Sequence, residues 1–302
     1  MRRPASALGL AVCFVALSAP RSVPPERVVR PGATIASTVN GAPGRLRVMA
    51  AETRMPLLSP DWAGRAGLKP SFLDIGARIG PVTIYGHSVV ARIDLGQGAT
   101  KRRVGWLRRY SPPGFDGAVG PGGVREPVVR FVLRDAVPGE RTASFPTAED
   151  GGRFLNWSEL FAVVEIGGEP MRVLLDPDRA RSTANAGAGA RLRSAQGGRF
   201  EGEVGREMIA YGVERPVRRL RLDRPLAIGA LRLSAIMVRE AAADPVGADG
   251  EPAPPDPNEI VVTGRRERDR SKDRITLGAD VLSRCSAITF DKSAKRVHLT
   301  CA

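Results

Sequence analysis

Acidic side chains follow two apolar, strand-like segments of this 302-residue chain, where they could donate or accept protons. In the first half, Ala51-Glu52-Thr53 comes after the apolar segment Leu46–Ala50. In the second half, Asp176-Pro177-Asp178 comes after Met171–Leu175. Carboxylates serve as general acids and bases when their surroundings tune their pKa values. Acid–base chemistry is therefore the first chemistry that these residues indicate.

Other catalytic chemistries find little support in the sequence. His87 and His298 are the only histidines, and they lack the spacing of metal ligands. The sequence shows no motif that would bring a histidine and a nucleophilic serine together in a serine triad. The segment Gly120–Gly123 lacks the lysine and the following helix of a phosphate-binding loop. We therefore expect neither a metal nor a cofactor.

An internal repeat with a period of about 125 residues organises the chain. Each copy starts with a turn and an apolar strand that carries an Arg-Val pair, Arg47-Val48 in the first copy and Arg172-Val173 in the second. Each copy ends on a glycine-containing motif that precedes a further strand. These motifs are Asp116–Gly120, before Val128–Leu133, and Ile275–Gly278, before Ala287–Phe290.

Between the first apolar strand and the glycine-containing motif, each copy has a helical segment and β-like stretches. Ser59 can cap the first helix, Pro60 suits its first turn and Gly67 suits its end. The second copy has the Ala- and Gly-rich segment Thr183–Leu192. The β-like stretches are Ala77–Leu95, Arg102–Arg108 and Arg218–Val238. Many short strands with few helices predict an all-β chain of two barrels or sandwiches.

This duplicated plan resembles the pepsin-like and retropepsin-like aspartic proteases, in particular exported bacterial members that carry both lobes in one chain. The resemblance covers nearly all of the mature chain and implies two β-barrel lobes with a few short helices. We expect a signal peptide at residues 1–20, a linker at 21–39 and lobes at 40–145 and 146–302. A disordered insertion is expected at about 241–272 in the second lobe.

The catalytic motifs depart from the family pattern. The family uses one Asp per lobe, each followed by Thr or Ser and then Gly, so that two carboxylates share a proton. Asp176 stands at the catalytic position of the second lobe, but Pro177 and Asp178 replace the hydroxyl residue and the glycine. The first lobe offers only Glu52, one position out of register and one methylene longer. Gly120 and Gly278 match the glycines of the second motif.

The resemblance and these departures leave three functions open. The first is a protein that has lost catalysis and binds extended polypeptide in the cleft between the lobes. The second is an active aspartic endopeptidase that uses Asp176 with an atypical partner, for which Glu52 is the candidate. The third is an envelope interaction protein whose strand Glu259–Gly264 resembles the TonB box and would bind by β-strand addition.

The N-terminus and the cysteines predict export. A basic start is followed by the apolar stretch Ala7–Ala19, which suits a cleaved signal peptide and is too short to span a membrane. We therefore expect a periplasmic or secreted product without an integral membrane segment. Cys285–Asp291 and Arg296–Cys301 are expected to be two strands of a hairpin around the polar turn Lys292–Lys295, centred near Ser293. Cys285 and Cys301 fall opposite each other in this hairpin and are expected to form a disulfide.

The net charge of +14 does not indicate a nucleic-acid partner. Of 46 basic residues only five are lysine, and the arginines are scattered without interleaved aromatic residues. Abundant Arg, Ala, Gly and Pro are what a GC-rich genome produces. We expect no binding to nucleic acid.

Overall fold

The computed structural model describes residues 24–108, 110, 112–149, 158–240 and 270–302. Nineteen strands and three α-helices are found in these residues. In chain order they are β1 (Glu26–Val29), β2 (Ile35–Val39), β3 (Ala42–Val48), β4 (Leu57–Leu58), α1 (Pro60–Arg65), β5 (Asp74–Ile79), β6 (Val82–Asp94), β7 (Thr100–Leu107), β8 (Gly117–Val119), β9 (Val128–Val132), β10 (Arg141–Glu149), β11 (Leu160–Ile166), β12 (Glu169–Leu175), β13 (Thr183–Ala184), α2 (Ala186–Gln196), β14 (Arg199–Ala210), β15 (Val213–Ile228), β16 (Leu231–Arg239), β17 (Arg274–Leu277), α3 (Ala279–Leu282), β18 (Cys285–Asp291) and β19 (Arg296–Cys301). Short 3-10 helices lie at Pro121–Gly123 and Arg270–Lys272.

The first lobe is a β-sheet of strands β2 to β8 in the order β2-β3-β8-β4-β7-β6-β5. An additional pairing of β2 with β6, in which Val39 lies opposite Ile93, closes six of these strands into a barrel. Both side chains are buried in the interior. Buried and less buried residues largely alternate along β6, as expected for a strand with one face toward a core.

The second lobe repeats this plan strand for strand. Its sheet order is β11-β12-β17-β13-β16-β15-β14, which maps onto the first lobe in chain order and in spatial order. Strand direction is repeated as well: β3 with β8 and β12 with β17 are parallel pairs, and β4 with β8 and β13 with β17 are antiparallel pairs. The predicted all-β chain of two similar lobes with a few short helices is confirmed.

A further sheet joins the two lobes. Its strands follow the order β1-β9-β18-β19-β10, and β10 continues it into the second lobe by pairing with β11. Phe131 of β9 and Phe290 of β18 meet edge to face with ring centroids 5.9 Å apart. Because both lobes contribute neighbouring strands to this sheet, their relative position is fixed by main-chain hydrogen bonds.

Two expectations about connecting segments need correction. Residues 21–39 were expected to be a linker, but their described part forms β1, which pairs with β9, and β2, which closes the first barrel. Of the insertion expected at about 241–272, the structure describes residues 270–272, which are ordered in a 3-10 helix where Arg270 pairs with Glu169 at 2.8 Å. The strand-like segment Glu259–Gly264 and the signal peptide lie outside the described residues.

Helix α1 begins as the sequence predicted. The Ser59 hydroxyl accepts a hydrogen bond from the Trp62 backbone N–H at 3.2 Å, Pro60 is the first helical residue, and Gly67 after the helix adopts a φ of 62°. The indole of Trp62 is fully buried and donates from Nε1 to the Ala42 carbonyl oxygen. The cap therefore holds the helix that places Trp62 in the main hydrophobic core.

Ser59→Ala should lower the free energy of unfolding by about 1 kcal/mol, because the Trp62 N–H loses its capping acceptor in a buried setting. Ser293→Ala, in the exposed turn between β18 and β19, is the matched control and should change it by less than about 0.5 kcal/mol. Urea unfolding followed by tryptophan fluorescence measures both. Equal effects of the two variants would show that the cap contributes nothing.

The C-terminal hairpin matches its prediction in both strands. β18 and β19 have the predicted bounds, Cys285 lies opposite Cys301, and their sulfur atoms are bonded. Both cysteines are buried in the main core. None of the described helices has the length and apolar character that crossing a membrane requires.

Candidate functional site

The repeated plan identifies the first-lobe position that corresponds to Asp176. Asp176 follows β12, and its N–H donates to the carbonyl oxygen of Leu277 at 2.9 Å, just before Gly278. In the first lobe the N–H of Met49, which follows β3, donates to the carbonyl oxygen of Val119 at 3.0 Å, just before Gly120. Met49 is therefore the equivalent of Asp176, and the first lobe has no carboxylate at this position.

The predicted register of the two copies was wrong by two residues. The sequence aligned Arg47-Val48 with Arg172-Val173, which put Glu52 one position from Asp176. The strand pairing instead aligns Val48 with Leu175, since these residues lie opposite Val119 and Leu277. Glu52 lies three residues beyond the equivalent position, in the loop that follows β3.

Glu52 is nevertheless a buried residue of the cleft between the lobes, with 8% of its surface exposed. Its Oε1 accepts hydrogen bonds from the Thr53 N–H at 2.9 Å and from the Tyr211 hydroxyl at 3.1 Å. Gly120 lies against the Glu52 backbone, where a Cβ atom would overlap the Glu52 carbonyl oxygen. Gly120 therefore packs closely against the loop that carries Glu52.

Burial raises the pKa of Glu52 from 4.5 to about 7. The desolvation of the carboxylate is the largest cause, and the negative charges of Glu159 and Asp176 add to it. The hydrogen bonds from Thr53 and Tyr211 oppose the shift because they favour the ionised form. Glu52 thus holds its proton up to about neutral pH.

Asp176 is partly buried in the same cleft, and its carboxylate is paired with an arginine. The Arg179 guanidinium lies 3.3 Å from Asp176 Oδ2. It also donates to the main-chain carbonyl oxygens of Met208 and Ile209 near the end of β14. Burial raises the pKa of Asp176, and the positive charge of Arg179 opposes this shift. Asp176 therefore helps Arg179 to hold the end of β14.

The residues beside Asp176 and the second predicted glycine also have partners. Asp178 pairs with the guanidinium of Arg47 from the first lobe. Pro177 lines a smaller cavity of about 270 Å³, which shares Arg47 and Asp178 with the cleft. Gly278 donates its N–H to the Ser182 hydroxyl at 3.0 Å, and a Cβ atom there would lie 2.8 Å from the Arg179 carbonyl oxygen.

The hairpin of β14 and β15 is the main part of the site that the sequence did not predict. Its tip carries Tyr211 at a φ of 50°, followed by Gly212. Tyr211 packs edge-on against Tyr110 with ring centroids 5.6 Å apart, and Ile209 joins the apolar cluster of the first lobe. A second-lobe hairpin thus reaches across the cleft. The Tyr211-Gly212 pair is the one local signal that could have indicated this turn.

The cleft between the lobes has a volume of about 560 Å³. Its walls are apolar, with charged groups that converge from both lobes. Arg274 pairs with Glu159 at 2.8 Å, and burial together with nearby arginines lowers the pKa of Arg239 to about 10. The side chains in it that bear on chemistry are Arg47, Glu52, Tyr110, Glu159, Asp176, Asp178, Arg179, Tyr211, Arg239 and Arg274. Within the described residues no three His, Cys, Asp or Glu side chains are grouped as metal ligands.

Comparison with known proteins adds little to this geometry. No protein-family profile matches the chain, and no curated protein is similar to it. The chain is similar to the solved structure of the aspartic proteinase from Irpex lacteus, with 11% sequence identity and a TM-score of 0.40 over 89% of this chain and 94% of that chain. The similarity of the two β-lobes to each other is shown by the strand order itself.

Proposed function

We propose that this protein binds an extended polypeptide segment in the cleft between its lobes and does not hydrolyse it. The observation that carries the proposal is that Met49 stands where a second catalytic carboxylate would be needed. Asp176 is instead paired with Arg179, which holds the tip of β14 in place. A carboxylate used in this way anchors the hairpin and is not free to activate water.

The cleft offers what an extended chain requires. Strand β14 is at the end of its sheet, so the part of its outer edge that Arg179 does not occupy can accept a further strand. Three of its residues, Met208–Ala210, line the cleft. Phe115 and Met49 supply apolar surface, and the guanidinium of Arg47 lies 5.7 Å from the centre of the Phe115 ring. Apolar walls with a few convergent polar groups are typical of binding sites.

The test uses fluorescein-labelled, unfolded casein and the full-length protein. We expect fluorescence anisotropy to show binding, and gel electrophoresis to show no fragments between pH 3 and pH 7. Phe115→Ala should weaken binding about tenfold through the loss of apolar contact. Phe72→Ala is the matched control, because Phe72 is 93% exposed and does not line the cleft. No binding, or equal loss in both variants, would contradict the proposal.

One observation favours a second candidate, an acid–base hydrolase. Glu52 is protonated up to about pH 7, and Asp176 is close enough for its charge to raise that pKa. Asp176 would take a proton from water, and Glu52 would give one to the leaving group. In that case the wild type cleaves casein, Asp176→Asn abolishes cleavage and Glu52→Gln reduces it at least about a hundredfold. Full activity in either variant would refute the role of that residue.

We also propose that the protein acts in the periplasm or after secretion. The Cys285–Cys301 disulfide supports this location, because such bonds form and persist in oxidising compartments. Mass spectrometry of the native protein should find these two cysteines joined. Free thiols at both positions would contradict an exported location.

A further inference from the structure

A second cavity, of about 670 Å³, lies away from the cleft and has a different character. Among the described residues the two cavities share no lining side chain. The second cavity lies between the loop after β3, the segment after the 3-10 helix Pro121–Gly123, strand β10 and the turn between β18 and β19. We call it the cationic pocket. Its basic lining residues are Arg54, Arg125, Lys292, Lys295 and Arg296.

The cations of this pocket are held mainly by neutral groups. Lys292 donates from Nζ to the carbonyl oxygen of Val124 at 2.6 Å, and Arg125 donates to that of Gln97 at 2.9 Å. Arg296 donates to the Ser144 hydroxyl and carbonyl oxygens. Main-chain carbonyl and hydroxyl oxygens orient a cation without cancelling its charge. These side chains are thus fixed in position while their positive charge remains.

Few carboxylates are placed to neutralise the pocket. Glu149 lies 3.7 Å from Arg54, and both side chains are about half exposed, so this pair is weak. Asp291 also lines the pocket, where its Oδ1 atom accepts from the Ala294 N–H, and its negative charge offsets one of the five cations. Glu126 is near Lys292, but it is bound by Arg27 at 2.6 Å and by Gln97. The balance of charge in the pocket is therefore positive.

The cations also repel one another. Arg102 does not line the pocket, but it donates to the carbonyl oxygens of Gly123 and Arg54 beside it. Burial, followed by the charges of Arg54 and Arg125, lowers the pKa of Arg102. Burial lowers the pKa of Lys292, and Arg54 and Arg102 add to that shift, while Glu126 opposes it. A bound anion would remove this repulsion, and guanidinium groups match the geometry of tetrahedral oxyanions.

We propose that the cationic pocket binds a ligand that carries two or more phosphate groups. The basic side chains come from three separate segments around one cavity, so that a chain of linked phosphates can contact more of them than a single phosphate can. Each contact to a charged group adds its own affinity. The ligand is recognised by its charge and tetrahedral geometry, independently of the cleft between the lobes.

Calorimetric titration of the full-length protein with inorganic tripolyphosphate tests this proposal. We expect saturable binding in 150 mM NaCl, at least about tenfold tighter than that of inorganic monophosphate. Lys292→Met should weaken tripolyphosphate binding at least about tenfold. Lys101→Met is the matched control, because it removes an exposed cation outside the pocket and should change affinity less than about twofold.

Arg125→Met gives a second variant at an exposed position, and circular dichroism verifies that each variant is folded. We expect it also to weaken binding. The proposal is overturned if monophosphate binds as tightly as tripolyphosphate. It is also overturned if the pocket variants and Lys101→Met lose the same affinity, since that would indicate attraction to the overall positive charge of the protein.

Discussion

Raising the pH from about 4.5 to about 7 should cost the protein about 3 kcal/mol of stability through Glu52 alone. Below this range the carboxyl group is protonated in the folded and the unfolded chain and contributes no pH dependence. Within it the unfolded chain releases the proton while the folded protein keeps it, so stability falls as the pH rises. Above about pH 7 both states are ionised, and the loss reaches its full size.

Glu52→Gln isolates this contribution, because other titrating groups are unchanged in the variant. We expect the wild type and Glu52→Gln to have similar free energies of unfolding at pH 4. At pH 8 the variant should be more stable by about 3 kcal/mol. Urea unfolding at several pH values measures the difference. Glu165→Gln, at an exposed position of β11, is the control and should stay within about 0.5 kcal/mol of the wild type throughout.

A difference between wild type and Glu52→Gln that is constant from pH 4 to pH 8 would show that Glu52 is hydrated. The buried position beside Tyr211 would then be wrong, and with it the second candidate function. The raised pKa of Asp176 acts in the same direction as that of Glu52. For this reason the double variant Glu52→Gln/Asp176→Asn should have a still flatter pH dependence than Glu52→Gln.

Local patterns predicted much of this fold. Ser59, Pro60 and Gly67 bound α1 because capping depends only on nearby residues. The hairpin of β18 and β19 was predicted to the residue, since a short polar turn and two opposed cysteines fix its register. The duplicated plan was visible because both copies carry the same succession of turn, strand, helix and glycine motif.

The register of the two lobes and the strands β14 and β1 depend on pairing between segments that are distant in the sequence. Local sequence patterns therefore did not predict them. Val48 is aligned with Leu175 only by the partner strands β8 and β17, and the Arg-Val pairs pointed to a different register. Strand β14 is exposed along most of both faces, so it has no alternation of apolar and polar residues. The four-residue strand β1 is defined by its parallel partner β9.

The sequence named several residues of the candidate site, but it did not predict which of them contact each other. Asp176 and Glu52 line the cleft between the lobes, and Gly120 and Gly278 pack against the backbone of neighbouring loops. Arg179, the partner of Asp176, was not predicted, because no motif in the sequence distinguishes it among many arginines. It is the contact with the carbonyl oxygens of β14 that gives this arginine its role.

Gly120→Ala should lower the free energy of unfolding by about 3 kcal/mol. The φ of −79° at Gly120 is available to alanine, so the backbone conformation is not the obstacle. The obstacle is space: the new Cβ would overlap the carbonyl oxygen of Glu52, which is main chain and cannot rotate away as a side chain would. Gly120 also donates its N–H to the carbonyl oxygen of Thr53 at 2.7 Å. Because of this bond, the Glu52 loop would have to move together with Gly120.

Gly122→Ala is the matched control in the same segment, because its Cβ would lie 3.5 Å from the nearest atom, in ordinary contact with the Arg54 side chain. It should change stability by less than about 0.5 kcal/mol. Displacement of the loop in Gly120→Ala should also expose Glu52 and so weaken the pH dependence described above. A Gly120→Ala variant with wild-type stability and wild-type pH dependence would show that the loop adapts freely. Glu52 would then not be positioned by the glycine motif. The two lobes would share their strand order but not the role of this glycine.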